Sequence, residues 1–156
     1  MKVKNYVLDE NLIIELGKFT ILWNYFEKYF CDYNCSSRKL KEIYQRIDLN
    51  KENMCNFAKT LNTRRNYFSM LITDYVNEGL FPPGSRNSSD EDKQIMKEFL
   101  KQENHSSKLG CLLIILRIRN NMMHGLKQIE DLNEQYDLFV SVNEVLESIE
   151  ELNVSE

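Results

Sequence analysis

Residues 115 to 125 read ILRIRNNMMHG, and they concentrate the side chains best suited to chemistry. A guanidinium, Arg119, stands in a run of Leu and Ile, an amide, Asn120, follows it, and an imidazole, His124, comes five positions later. Desolvating a guanidinium is costly unless something anionic or polar meets it. Arg119 therefore needs either a buried carboxylate partner or an anionic ligand. An imidazole titrates near neutral pH and can take up or release a proton. On a helix turning about 100° per residue, Leu112, Leu116, Arg119, Met123 and Leu126 share one stripe, and Arg119 interrupts it. His124 lies roughly 140° around the axis from Arg119, so the two do not easily grip one small ligand on a single helix. Asn120 and His124 are i,i+4 neighbours, as are Arg117 and Asn121. Two copies of this helix facing across a two-fold axis would put two Arg–His sets in one cleft. Gly125 either permits close approach of a partner or phosphate, or marks a local helix end.

The elements that position these residues read as helices. From residue 11 to 31, Leu12, Leu16, Phe19, Leu22, Trp23, Phe26 and Phe30 recur at three- and four-residue spacing. A second stripe of Ile21, Tyr25 and Tyr29 widens that apolar surface, as if a partner chain also covered it. Ser36-Ser37 can cap a short helix through Ile47, and Asn50 can cap the next. There Met54, Phe57, Leu61, Phe68, Leu71, Ile72, Tyr75 and Val76 hold helical phase for more than twenty residues. The stretch EGLFPPGSRNSSD is the Pro/Gly/Ser-rich one and reads as a loop. Ser89 with Asp90, Glu91 and Asp92 then reads as a helix start, its acids facing the positive end of the dipole. Ser106 or Ser107 opens the helix of interest, residues 108–128, and a last helix spans residues 131–150. No alternating strand pattern and no internal repeat occur. The expectation is a single all-α domain over residues 1–156, with four long helices and one or two short ones.

Composition limits the function. A chain of 156 residues suits one domain and needs no covalent staples. Only 5 glycines and 2 prolines argue for long helices and against a sandwich or barrel. A net charge of −4 speaks against wholesale coating of a phosphate backbone. It leaves room for local basic patches at Arg38/Lys39/Lys41, Arg64/Arg65 and Arg117/Arg119. Cys31, Cys35, Cys55 and Cys111 lack the spacing of a zinc site and read as buried free thiols in a reducing cytoplasm. The N-terminal stretch has no apolar leader core, and no apolar run is long enough to span a bilayer. A cytoplasmic protein without a membrane partner is the expectation.

The stretch Arg119-Asn120-Asn121-Met122-Met123-His124 resembles the R-N-x-x-x-H motif of HEPN domains, more loosely Arg, four to six residues, then His. FTILWNYFEKYF, with Trp23-x-x-Phe26-Glu27, also looks like the first helix of many HEPN proteins. The two stretches bracket the expected bundle, and the middle of the chain adds no motif. The resemblance implies an up-down HEPN-type bundle and a metal-independent RNA endonuclease, active as a homodimer with the two motifs facing each other. It makes His124 the general acid–base, Arg119 the group that stabilises the charged phosphorane, and Asn120 an orienting amide. The products would be a 2′,3′-cyclic phosphate and a 5′-hydroxyl, with no cofactor and no metal, and DNA would resist.

Arg117 also fits the looser spacing, and Asn121 and Glu27 are possible supporting residues, Glu27 as the acid that holds an arginine or histidine. His105 reads as exposed or as a cap. A toxin or phage-defence role, with an antitoxin or regulatory protein as partner, is a habit of the family. HEPN toxins regulated by AMP attachment carry a tyrosine two residues after the histidine, where this chain has Leu126. The alternative reading is a HEPN-type helical module that binds RNA or protein without cutting.

Overall fold

The computed structural model describes residues 1–3, 6–81, 88–101, 107–123, 133–149 and 152. The protein is all-α, with seven helices among the described residues and one two-residue antiparallel ladder, β1 (Lys2–Val3) with β2 (Tyr6–Val7). The helices are α1 (Glu10–Phe30), α2 (Ser37–Ile43), α3 (Lys51–Tyr67), α4 (Ile72–Asp74), α5 (Asp90–Leu100), α6 (Lys108–Met123) and α7 (Tyr136–Glu147). A 3-10 turn, Tyr44–Arg46, follows α2, and a π turn, Tyr75–Gly79, follows α4. None of the helices searched among these residues is long and apolar enough to cross a membrane.

The starts of three helices follow from side-chain caps. Ser36 Oγ accepts from Lys39 N at 3.1 Å, Asn50 Oδ1 from Asn53 N at 3.0 Å, and Ser89 Oγ from Asp92 N at 3.1 Å. Each satisfies one of the amides that a helix start leaves unpaired. The third helix ends earlier than its apolar spacing suggests. It stops at Tyr67, and Ser69 takes φ 54°, the left-handed conformation that turns the chain out of a helix. Phe68 and Leu71, in phase with the buried stripe, are therefore carried to the surface.

Two of the four cysteines differ from the expected free thiols. Cys31 and Cys35 are joined in a disulfide, while Cys55 and Cys111 are free. After α1 the chain reverses through Asp32 and Tyr33, both at positive φ, and this brings the two Cα atoms to 5.0 Å. Spacing alone could not foresee it, because two cysteines four positions apart beside apolar helical patterns read as buried free thiols.

α7 packs against both α1 and α3, and α6 packs against α5 and α2. Leu12, Phe19, Trp23, Phe26 and Phe30 fill the inward face of α1, and Phe19 meets Phe139 of α7 with ring centroids 5.6 Å apart. α6 is buried on every side from residue 111 to 118, as a helix that is apolar all round must be. Gly110 lets α6 approach α5: a Cβ there would lie 2.7 Å from Phe99 Cβ and 2.9 Å from Ile95 O. Ile14, Ile21, Tyr25 and Tyr29 lie exposed on the opposite face of α1, with Tyr25 and Tyr29 stacked at 6.3 Å.

Candidate functional site around Arg119

The two arginines at the end of α6 have different environments. Arg117 is 7% exposed. Its Nε and Nη2 donate to Asn121 Oδ1 at 3.1 and 2.9 Å, the i,i+4 contact expected on a helix. Asn121 Nδ2 in turn donates to Leu80 O at 3.1 Å, and the guanidinium lies 4.8 Å from the Phe81 ring centroid. Burial lowers the Arg117 pKa from its ordinary value. An arginine starts so high that it stays charged, and the amide and the ring face help to make this buried cation tolerable. Arg117 thus locks the segment after the π turn onto α6, with little surface left to meet a ligand.

Two positions on, about 200° around the helix, Arg119 reaches the surface with 30% of its side chain exposed. Its Nη2 stands 3.6 Å from Glu27 Oε1, and its Nη1 donates to Asn120 Oδ1 at 3.2 Å. The Glu27 side chain is only 16% exposed, and its Oε1 accepts from Trp23 Nε1 at 2.6 Å. Trp23 and Glu27 are i,i+4 neighbours on α1, so the buried indole holds the carboxylate that faces Arg119. Trp23, Glu27, Arg119 and Asn120 therefore form one hydrogen-bonded and ionic chain linking α1 to α6. Glu27 is a partner of the arginine and not a surface acid.

Among the sequence-derived residues, Glu27, Arg119 and Asn120 come together, and Arg117 and Asn121 form a separate, internal pair. His124, Gly125, Leu126 and His105 lie outside the described residues. The groups searched among the described residues include no cluster of three or more His, Cys, Asp or Glu able to hold a metal. Sequence reasoning missed the indole of Trp23 as a donor to Glu27, although their four-residue spacing signals it. It also missed Phe81 and the Leu80 carbonyl, about forty positions from their partners, which no local signal could have revealed.

Arg119 has two uses in this setting. As an interhelix tie it compensates Glu27. As a surface cation with a planar fork, braced from two sides, it can meet a phosphate arriving from solvent. Comparison with protein-family models, with curated proteins and with solved structures gives no match.

Proposed function

We propose that the protein is a HEPN-type, metal-independent RNA endonuclease that acts as a homodimer. The observation that carries this reading is the division of labour on α6. Of the two motif-compatible arginines, Arg117 is consumed internally, while Arg119 stands at the surface with its fork braced by Asn120 and Glu27. A preorganised cation at the position of developing charge is the arrangement that transition-state stabilisation requires. In this reading Arg119 receives the charge of the pentacovalent phosphorus. His124 removes the 2′-hydroxyl proton, and the second His124 of the dimer protonates the departing 5′-oxygen. Bonds balance: the 2′-oxygen to phosphorus bond forms, the phosphorus to 5′-oxygen bond breaks, and a cyclic phosphate remains.

The dimer axis in this proposal passes beside the end of α6. The exposed stripe Ile14, Ile21, Tyr25 and Tyr29 points elsewhere, since Glu27 lies about 200° beyond Tyr25 on α1. An interface on that stripe would leave the two Arg119 forks apart.

A second reading, a helical module that binds RNA or protein without cutting, is favoured by one observation: Glu27 already neutralises Arg119. The two separate in one experiment. Wild type, Arg119→Lys and His124→Ala are incubated with total RNA in the presence of a chelator, and the new ends are mapped. The nuclease reading expects cyclic phosphate and 5′-hydroxyl ends from wild type, none from either variant, and intact DNA. The lysine variant keeps the charge but not the planar fork, so its loss would tie catalysis to geometry. Absence of cutting, or cutting only with added magnesium, would leave the binding module. Sedimentation at micromolar concentration should show twice the 18.6 kDa chain mass.

A further inference from the structure

The Cys31–Cys35 bridge lies one turn beyond Glu27 at the end of the same helix, and the two are joined through one carbonyl. Glu27 O accepts from Cys31 N at 3.1 Å and from Tyr33 N at 2.9 Å, the second donor lying inside the bridged loop. A helix end leaves its last carbonyls short of donors, and these two bonds close the last turn of α1 at Glu27. Tyr33 makes its bond at φ 70°, left-handed backbone that a bulky L-residue enters at a cost, and Asp32 before it stands at φ 50°. Side-chain packing does not hold this pair in place. Tyr33 lies exposed, and Asp32, exposed as well, reaches Lys39 at 3.2 Å in a surface ion pair of the kind that contributes little. The bridge is the covalent restraint on the turn.

A bridge between residues four positions apart constrains the unfolded chain less than one closing a long loop, and Cys55 and Cys111 stay free. This is not the pattern of a fold stapled by disulfides. The two bridged sulfurs also differ in access: Cys31 is buried and Cys35 half-buried. An attacking thiolate therefore meets Cys35 Sγ, breaks the Sγ–Sγ bond and expels Cys31 as a thiolate, which takes up a proton. A second thiolate then displaces the first from Cys35. Two glutathione-type thiols become one disulfide and the protein gains two thiols; the reverse exchange with oxidised glutathione restores the bridge. We infer that Cys31–Cys35 is a thiol–disulfide switch for the Arg119 site. Bridged, it fixes the turn of α1 from which Glu27 braces the guanidinium. Reduced, Tyr33 leaves the left-handed region, the Glu27 carbonyl loses that donor, and the brace loosens. The inference rests on the nuclease reading for its effect on cleavage, and it makes the oxidised form the faster nuclease.

The test equilibrates the full chain with reduced and oxidised glutathione at a series of ratios, with a chelator present. Three quantities are read at each ratio: thiols by maleimide labelling after a denaturing acid quench, tryptophan emission, and cleavage of total RNA. Trp23 is the single tryptophan and donates to Glu27, so its emission reports on that carboxylate. Labelled thiols should rise from two to four on reduction, and emission and cleavage should follow the same curve and return on reoxidation. Cleavage should fall about tenfold, the loss expected when the fork is no longer held. Cys35→Ser should give the low rate at every ratio, and Cys55→Ser should respond like wild type. In Glu27→Gln, reduction should lower the rate no further, because both changes act through one contact. Circular dichroism at the assay temperature separates this from global unfolding. The switch is overturned if the bridge opens while emission and cleavage stay constant, which leaves a structural staple and an intact nuclease reading. It is overturned too if the thiols do not exchange in the folded protein, or if Glu27→Gln responds as fully as wild type. If no ratio yields cleavage, the nuclease reading fails and takes the proposed control of cleavage with it.

Discussion

Replacing Glu27 tests the link between α1 and α6. At 3.6 Å a full charge pair has a Coulomb energy of about 5 kcal/mol at an effective dielectric of 20. Neither side chain is fully buried, so solvent screening and the cost of desolvation should leave a coupling of about 1 kcal/mol. The charge-assisted bond from Trp23 adds about 1.5 to 3 kcal/mol that depends on an acceptor at position 27. Glu27→Gln keeps an acceptor for the indole and removes the charge, and should cost about 1 kcal/mol. Glu27→Leu removes both and should cost about 3 kcal/mol. The assay is urea unfolding of Glu27→Gln, Arg119→Gln and the double variant. It is read by circular dichroism, because the single tryptophan is itself a member of the network and its fluorescence will shift with the substitution. Additivity of the two single changes within about 0.3 kcal/mol would show that the pair carries no coupling and would refute the reasoning. Equal costs for Gln and Leu would remove the indole from the argument. If the fork must be held to work, Glu27→Gln also lowers the cleavage rate about tenfold in the folded protein, a loss that its stability change cannot explain.

Other substitutions probe the scaffold. Arg117→Leu leaves Asn121 without its donor and should cost about 2 to 4 kcal/mol in a denaturant melt, while Arg117→Lys, which keeps the charge but loses the fork, should lose less. Gly110→Ala must displace Phe99 or the Ile95 carbonyl and should destabilise by about 1 to 2 kcal/mol; Gly17→Ala on α1 meets nothing within 4 Å and should stabilise by about 0.5 to 1 kcal/mol, both read as shifts of the urea midpoint. Reducing the Cys31–Cys35 bridge opens a short loop, and the chain-entropy relation gives a loss of about 2 kcal/mol, seen by comparing melts with and without a phosphine reductant. In the folded, reduced protein, iodoacetamide should alkylate Cys55 well before Cys111, whose thiol is fully buried and held protonated by that burial; peptide mapping decides.

Much of the fold was legible because it is written in short-range patterns. Leu12, Phe19, Trp23, Phe26 and Phe30 repeat at helical spacing and are all buried. Ser36, Asn50 and Ser89 stand ahead of apolar runs, where caps are expected, and each makes its capping bond. The run LGCLLIIL is apolar on all sides, and residues 110–116 within it are all buried. The apolar pattern misleads at Phe68 and Leu71, where one left-handed residue, Ser69, ends the helix although the apolar phase continues. It misleads again at Cys31 and Cys35, where two consecutive positive-φ residues bend the chain back on itself.

The candidate site divides along the same line. The sequence by itself determined that two arginines would sit two positions apart near the end of an apolar helix, and that Glu27 would follow Trp23 by one turn on the first helix, though the bond between those two went unread. Helical geometry makes both statements, because contacts three and four residues apart are fixed by the backbone. Only the tertiary structure decided which arginine is structural and which faces solvent. That choice depends on Phe81 and the Leu80 carbonyl arriving beside Arg117, and on α1 bringing Glu27 to Arg119 across ninety-two positions of chain. Such long-range packing is set by how whole helix faces exclude water together, and no local spacing encodes it.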